Sequence, residues 1–224
     1  MGQTPAGGAD ERFTRRRLHY GFLIWYGFFW TWMAVAPFDR KDWLLENVLA
    51  LAFVVVLILT YPRFQFSTVS YCLITLFMTL HAIGAHYTYA EVPFGFWLKE
   101  GWGLSRNPFD RIVHFAYGLF LAYPIREWLV RIAGVRGAWA YYLPVSITLS
   151  QSGFFEVIEA IVAAVVSPEL GSAYLGTQGD PWDAQKDMAS AVVGALLAML
   201  FTVLGASVFS KRNIPAPRGL SVFQ

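Results

Sequence analysis

Apolar residues gather along the chain in six runs, at 18–36, 43–61, 66–87, 112–131, 138–166 and 187–209, separated by segments where charges, glycine and proline concentrate. A helix rises about 1.5 Å per residue, so about twenty apolar residues cross the roughly 30 Å hydrocarbon core of a bilayer. The pattern predicts an all-α, polytopic membrane bundle of six transmembrane helices. Residues 1–17 and 210–224 lack apolar periodicity and are expected to be mobile tails, which leaves 18–209 as the membrane domain.

Composition removes the soluble alternative. Of the 224 residues 56% are hydrophobic and 17% aromatic, and only 14% are charged, against about 25% in an average soluble domain. The net charge of +2 offers no basic surface for nucleic acid. The single cysteine, Cys72, lies inside an apolar run and excludes a disulfide framework. Neither a nucleophile elbow nor a glycine-rich phosphate loop is present.

The first run follows Arg15, Arg16 and Arg17 and ends in Ala34-Val35-Ala36, which resembles a secretory signal peptide. Its length, its aromatic content and Pro37 just after the apparent cleavage point argue instead for a retained helix. Orientation follows from the basic residues of the short loops. With the N-terminus inside, eleven of the seventeen Lys and Arg residues fall on the cytoplasmic side, so both termini are expected in the cytoplasm.

That topology, set by Lys and Arg alone, sorts the other ionisable residues sharply. His81, His86, Asp110, His114, Glu156, Glu159, Asp180, Asp183 and Asp187 all fall toward the outer face, joined by Glu46 at the start of the second span. Ionisable groups at membrane depth are costly and mark functional sites. Asp110 and His114 are i,i+4, Glu156 and Glu159 are i,i+3, and Asp183 and Asp187 are i,i+4, so each pair shares a helix face. His81 and His86 are five apart, about 140° around an ideal helix, so either the helix deforms near Gly84 or only one of them reaches the site.

Six carboxylates with only Arg111 and Lys186 as nearby cations call for a compensating charge, which a divalent transition metal would supply; a mixed His/carboxylate shell suits zinc, iron or manganese. On this reading His81, His86, Asp110, His114, Glu159, Asp180 and Asp187 are candidate ligands. Glu156 and Asp183 are the candidate general bases. Two blander roles stand beside this one: membrane histidines also serve as interhelical hydrogen-bonding groups, and Asp180 and Asp183 can cap the sixth helix.

Two stretches carry a family signature: His81-Ala-Ile-Gly-Ala-His86 with Asn107-Pro-Phe-Asp-Arg-Ile-Val-His114, and Gly176-Thr-Gln-Gly-Asp-Pro-Trp-Asp-Ala-Gln-Lys-Asp187. They resemble the YjdF-like family of bacterial inner-membrane proteins. The resemblance implies a multi-pass protein of the bacterial inner membrane and supplies no reaction. Taken with the residues, it leads to the expectation of a metal-dependent enzyme near the periplasmic face acting on a membrane lipid or lipid-linked substrate. The competing expectations are a proton- or cation-coupled transporter component and a structural membrane protein.

Overall fold

The computed structural model describes residues 7–212, with side chains described over 13–205. Among the described residues the chain forms eight helices and no strand: α1 (Gly7–Met33), α2 (Arg40–Thr60), α3 (Thr68–His86), α4 (Pro93–Trp102), α5 (Phe109–Arg131), α6 (Trp139–Val165), α7 (Pro168–Leu175) and α8 (Asp183–Arg212). Each of the six apolar runs lies in one of the six long helices. Four of these, α2, α3, α6 and α8, are long and apolar enough to cross a membrane. α1 draws its apolar character partly from Trp and Tyr, and α5 carries Asp110, Arg111, Arg126, Glu127 and Arg131 within its length.

The boundaries differ from the hydropathy reading in three places. α1 begins at Gly7, so residues 7–17 extend the first helix where a tail was expected; charge alone does not stop a helix that an adjacent apolar run has nucleated. The expected C-terminal tail is helical to Arg212, and 213–224 lie outside the described residues. α8 starts at Asp183, which places both Asp183 and Asp187 in its first two turns. The two long connections, α3 to α5 and α6 to α8, also fold: Pro93 and Pro168 open α4 and α7, and left-handed Gly103 and Gly176 close them.

α5 is the centre of the bundle. It packs against α3, α6 and most extensively α8, while α1 packs on α3, and α2 on α3 and α7. The α5–α8 contact is backbone on backbone. A Cβ at Gly118 would lie 1.8 Å from the Ala191 carbonyl oxygen, and one at Gly194 would lie 2.1 Å from that of Phe115. Ala122, Ala191 and Ala195 fill the rest of this fully buried seam. Small residues of this kind let membrane helices approach closely, and here they bring the N-terminal turns of α5 and α8, with their acids, side by side.

At the opposite end α5 is fixed by one carboxylate. Glu127 accepts hydrogen bonds from the Ser67 backbone N–H (2.8 Å), the Ser67 hydroxyl (2.8 Å) and the Ser70 hydroxyl (2.5 Å), and pairs with Arg131. Arg131 also donates to the Gln65 carbonyl at 2.8 Å. The end of α5 is thereby tied to the α2–α3 turn.

Candidate functional site

Two segments about seventy residues apart in the chain form a clasp over the end of the bundle where α5 and α8 begin. Arg106, 7% exposed, donates to the carbonyls of Gly176 and Thr177 (3.2 Å each) and forms a close ion pair with Asp183. Fully buried Asn107 exchanges hydrogen bonds with Gln178, its backbone N–H to Gln178 Oε1 at 2.9 Å and Gln178 Nε2 to its carbonyl at 3.1 Å. The Asn107 side chain donates to the carbonyls of Ala90 and Val92 and accepts from the Phe109 N–H. Arg111 reaches Asp180 at 2.5 Å and Asp183 at 3.4 Å.

Asp180 stands at the rim of this clasp. Lys186 at 2.6 Å, the Trp182 N–H and Arg111 hold its carboxyl well below the usual carboxylate range. Its hydrogen bond to the Trp182 N–H turns the chain into α8, so its geometry is that of a turn former. It lies apart from the group described next.

Beneath the clasp, Asp110, His114 and Asp187 each present a donor atom, and the three atoms lie within 4.8 Å of one another. His114 Nε2 is 3.7 Å from an oxygen of Asp110 and 3.7 Å from one of Glu156. Asp187 is 2% exposed, and its Oδ1 has no hydrogen bond; its nearest cation, Arg111 Nε, is 3.9 Å away. Glu156 Oε1 is likewise buried without a hydrogen bond. Buried acceptors left without donors are rare and costly.

A second polar layer adjoins it. His81 and the hydroxyl of Tyr89 are hydrogen-bonded at 2.5 Å, and the backbone of Thr88 and Tyr89 adopts the left-handed conformation (φ 55° and 48°), at a cost of about 1–3 kcal/mol per residue that the surrounding packing must offset. Glu46 and Glu159 are 5% and 9% exposed, and Glu46 Oε2 and His81 Nε2 lack hydrogen bonds. Tyr174 on α7 covers this layer; burial first, then the carboxyls of Glu46, Glu159 and Asp42, pushes its hydroxyl well above the usual range, so it remains a donor.

Asp110 and His114 of the first group and the residues of the second layer head a cavity of about 530 Å³, with Asp187 and Glu156 set behind its wall, a volume within the usual range of ligand sites. Glu46, His81, Asp110, His114 and Glu159 line one end, and Phe66, Ile125 and Trp128 the other. On α5 the lining residues form a single stripe, Asp110, His114, Tyr117, Leu121, Pro124 and Trp128.

Several expectations change. His86 is not with the others: its Nδ1–H donates to the Met33 carbonyl (2.7 Å), where it ties the end of α1 to α3, as the five-residue spacing from His81 allows. Asp183 is occupied by Arg106 and Arg111, which removes it as a free base. The charge balance drawn from Arg111 and Lys186 omitted Arg106, the most buried cation, because it precedes α5 and reads as an ordinary loop residue. Asp42 escaped notice as well: it is fully buried, and neither carboxyl oxygen has a hydrogen bond. A carboxylate one turn before Glu46 was the available signal.

A family model described as a predicted membrane protein (DUF2238) matches residues 18–207. Inner membrane protein YjdF of Escherichia coli (strain K12) is 39% identical over 168 residues, covering 75% of this chain and 80% of that protein. No solved structure matches.

Proposed function

The chain belongs to the DUF2238 family of membrane proteins, and we propose that this member is a metal-dependent enzyme of the bacterial inner membrane that acts on a lipid or lipid-linked substrate. Six helices would cross the bilayer with both termini in the cytoplasm, which the excess of basic residues on that side supports. The reactive end of the cavity would then face the periplasm.

The observation that carries the reading is the Asp110–His114–Asp187 group, in which a nearly fully buried carboxylate has an oxygen without a hydrogen bond. One imidazole and two carboxylates suit zinc, manganese or iron, and Asp110, His114 and Asp187 are the residues that would hold it. The metal would polarise an oxygen or acidify a bound water. Glu156, 3.7 Å from His114 and with a free oxygen, is placed to accept the proton, and His81 with Tyr89 would orient the substrate's polar group.

A transport role would need ionisable groups along the rest of the path. The far end of the cavity is lined by Phe66, Ile125 and Trp128, and Glu127, the acid on that side of α5, is consumed by serine and arginine contacts. The test is turnover: the purified protein is incubated with a bacterial lipid extract, and products are followed by mass spectrometry with chelator and with restored zinc or manganese. A product that requires the metal and is absent for Glu156→Gln is expected. A folded, metal-bound protein that alters no lipid overturns the enzymatic reading.

A further inference from the structure

We infer that the cavity is a side-entry channel for one acyl chain of a membrane lipid, loaded through a slot between α2 and α6. The inference deepens the proposed function by naming what part of the substrate the channel holds, and it rests on that reading only in placing the lipid's polar end at Asp110 and His114.

The first observation is length. The stripe on α5 runs from Asp110 to Trp128, eighteen residues or about 27 Å along the helix axis. One leaflet of the hydrocarbon core is about 15 Å deep. The channel therefore has room for a whole extended chain, with its only ionisable lining residues at the head. Beyond a polar collar of Tyr117, Gln151 and Ser152, in which the Tyr117 hydroxyl donates to Gln151 Oε1, Leu121, Ile125, Phe53 and Phe66 face the space, and water there would find few partners.

The second observation is the opening. α2 packs against α3 and α7, and α6 against α5, α7 and α8, whereas α2 and α6 share no extensive contact among the described residues. Both nonetheless line the cavity. Leu49 of α2 and Phe154 of α6 belong to its wall and are also 42% and 66% exposed, so the wall continues onto the outer surface of the bundle. At the outer end α7 bridges the two helices and closes the slot toward the clasp. A laterally open apolar cavity at this depth faces lipid tails, which enter it at little cost in solvation.

The occupant is set by the two ends together. A polar or reacting group meets acids, His81 and His114 at one end, and the other end accepts only hydrocarbon. A diacyl lipid satisfies both by leaving its second chain in the bilayer outside the slot.

The experiment uses the full-length protein reconstituted into phospholipid vesicles containing a phospholipid with a photoactivatable diazirine near the end of one acyl chain. Cross-links are expected on Tyr117, Leu121 or Ile125, inside the channel, as well as on the outward apolar face of α8 at Val193, Leu196 and Phe201. Leu121→Trp, or Ile125→Trp if the first does not fold, should abolish the channel cross-links and spare those on α8. His114→Ala should keep the channel cross-links while losing any metal, which separates this inference from the metal reading. Cross-links confined to outward-facing residues, or a channel labelled by a polyprenyl probe and not by the acyl probe, would overturn it.

Discussion

α5 carries one buried acid near each end, and the two are treated very differently. Glu127 receives three hydrogen bonds and an ion pair, from Ser67, Ser70 and Arg131. Asp110 has contacts of 3.7 Å to Arg106 and His114, and its neighbours Asp187 and Glu156 each keep an oxygen with no hydrogen bond. A polar cluster that serves stability saturates its acceptors, because each one left open costs about 1–3 kcal/mol. The cluster around Asp110 leaves them open on a helix whose other end shows how completely the fold can satisfy an acid. That contrast argues that the groups around Asp110 are held for a ligand.

The contrast is sharpened by substitutions, beginning with the clasp. Arg106→Leu takes the close partner from Asp183, which keeps only Arg111 at 3.4 Å, and removes the guanidinium 3.7 Å from Asp110; breaking a buried ion pair costs about 3–5 kcal/mol, so a large loss of thermal stability in detergent is expected, and a melting temperature equal to the wild type would show that the clasp holds nothing together. Glu127→Ala should cost less, about 1–3 kcal/mol for the donors it orphans, and should leave metal content unchanged. Compared with the wild type in the presence of chelator, where bound metal adds no stability to either, Asp187→Asn removes a carboxylate that has no hydrogen bond at one oxygen, so its stability should lie within about 1 kcal/mol of the wild type or exceed it; a destabilisation as large as that of Glu127→Ala would erase the distinction between the two ends.

The smallest effect is expected at Asp180. Its carboxyl is held low by Lys186, the Trp182 N–H and Arg111, so its folded value lies below its unfolded one. Its contribution is present above the ordinary carboxylate range and is lost as pH falls through the depressed value. Asp180→Asn should therefore lower the melting point slightly at neutral pH, with the gap closing only in strong acid. A difference that grows on acidification would contradict the assignment.

Hydropathy alone located the six long helices, because each needs a continuous apolar surface. The convergence of Glu46, His81, Asp110, His114 and Glu159 at one end could be read from basic-residue topology and i,i+4 spacing. What stayed hidden depends on contacts across the chain. Arg106 and Asn107 read as loop residues until Gly176, Thr177 and Gln178 are seen to receive them. His86 carries the same chemistry as His81, but only the bundle decides which side of α3 meets the cavity. α4 and α7 are too short for periodicity to announce, and the pairing of Tyr89 with His81 depends on a left-handed backbone that no residue preference predicts.

The central claim is that Asp110, His114 and Asp187 hold a metal, and elemental analysis of the detergent-purified protein tests it most directly. Zinc, manganese or iron near one equivalent in the wild type and in Glu127→Gln, and absent from folded His114→Ala and Asp187→Asn, is the predicted result. A folded wild type that carries no metal and takes up none when zinc, manganese or iron is supplied would contradict it.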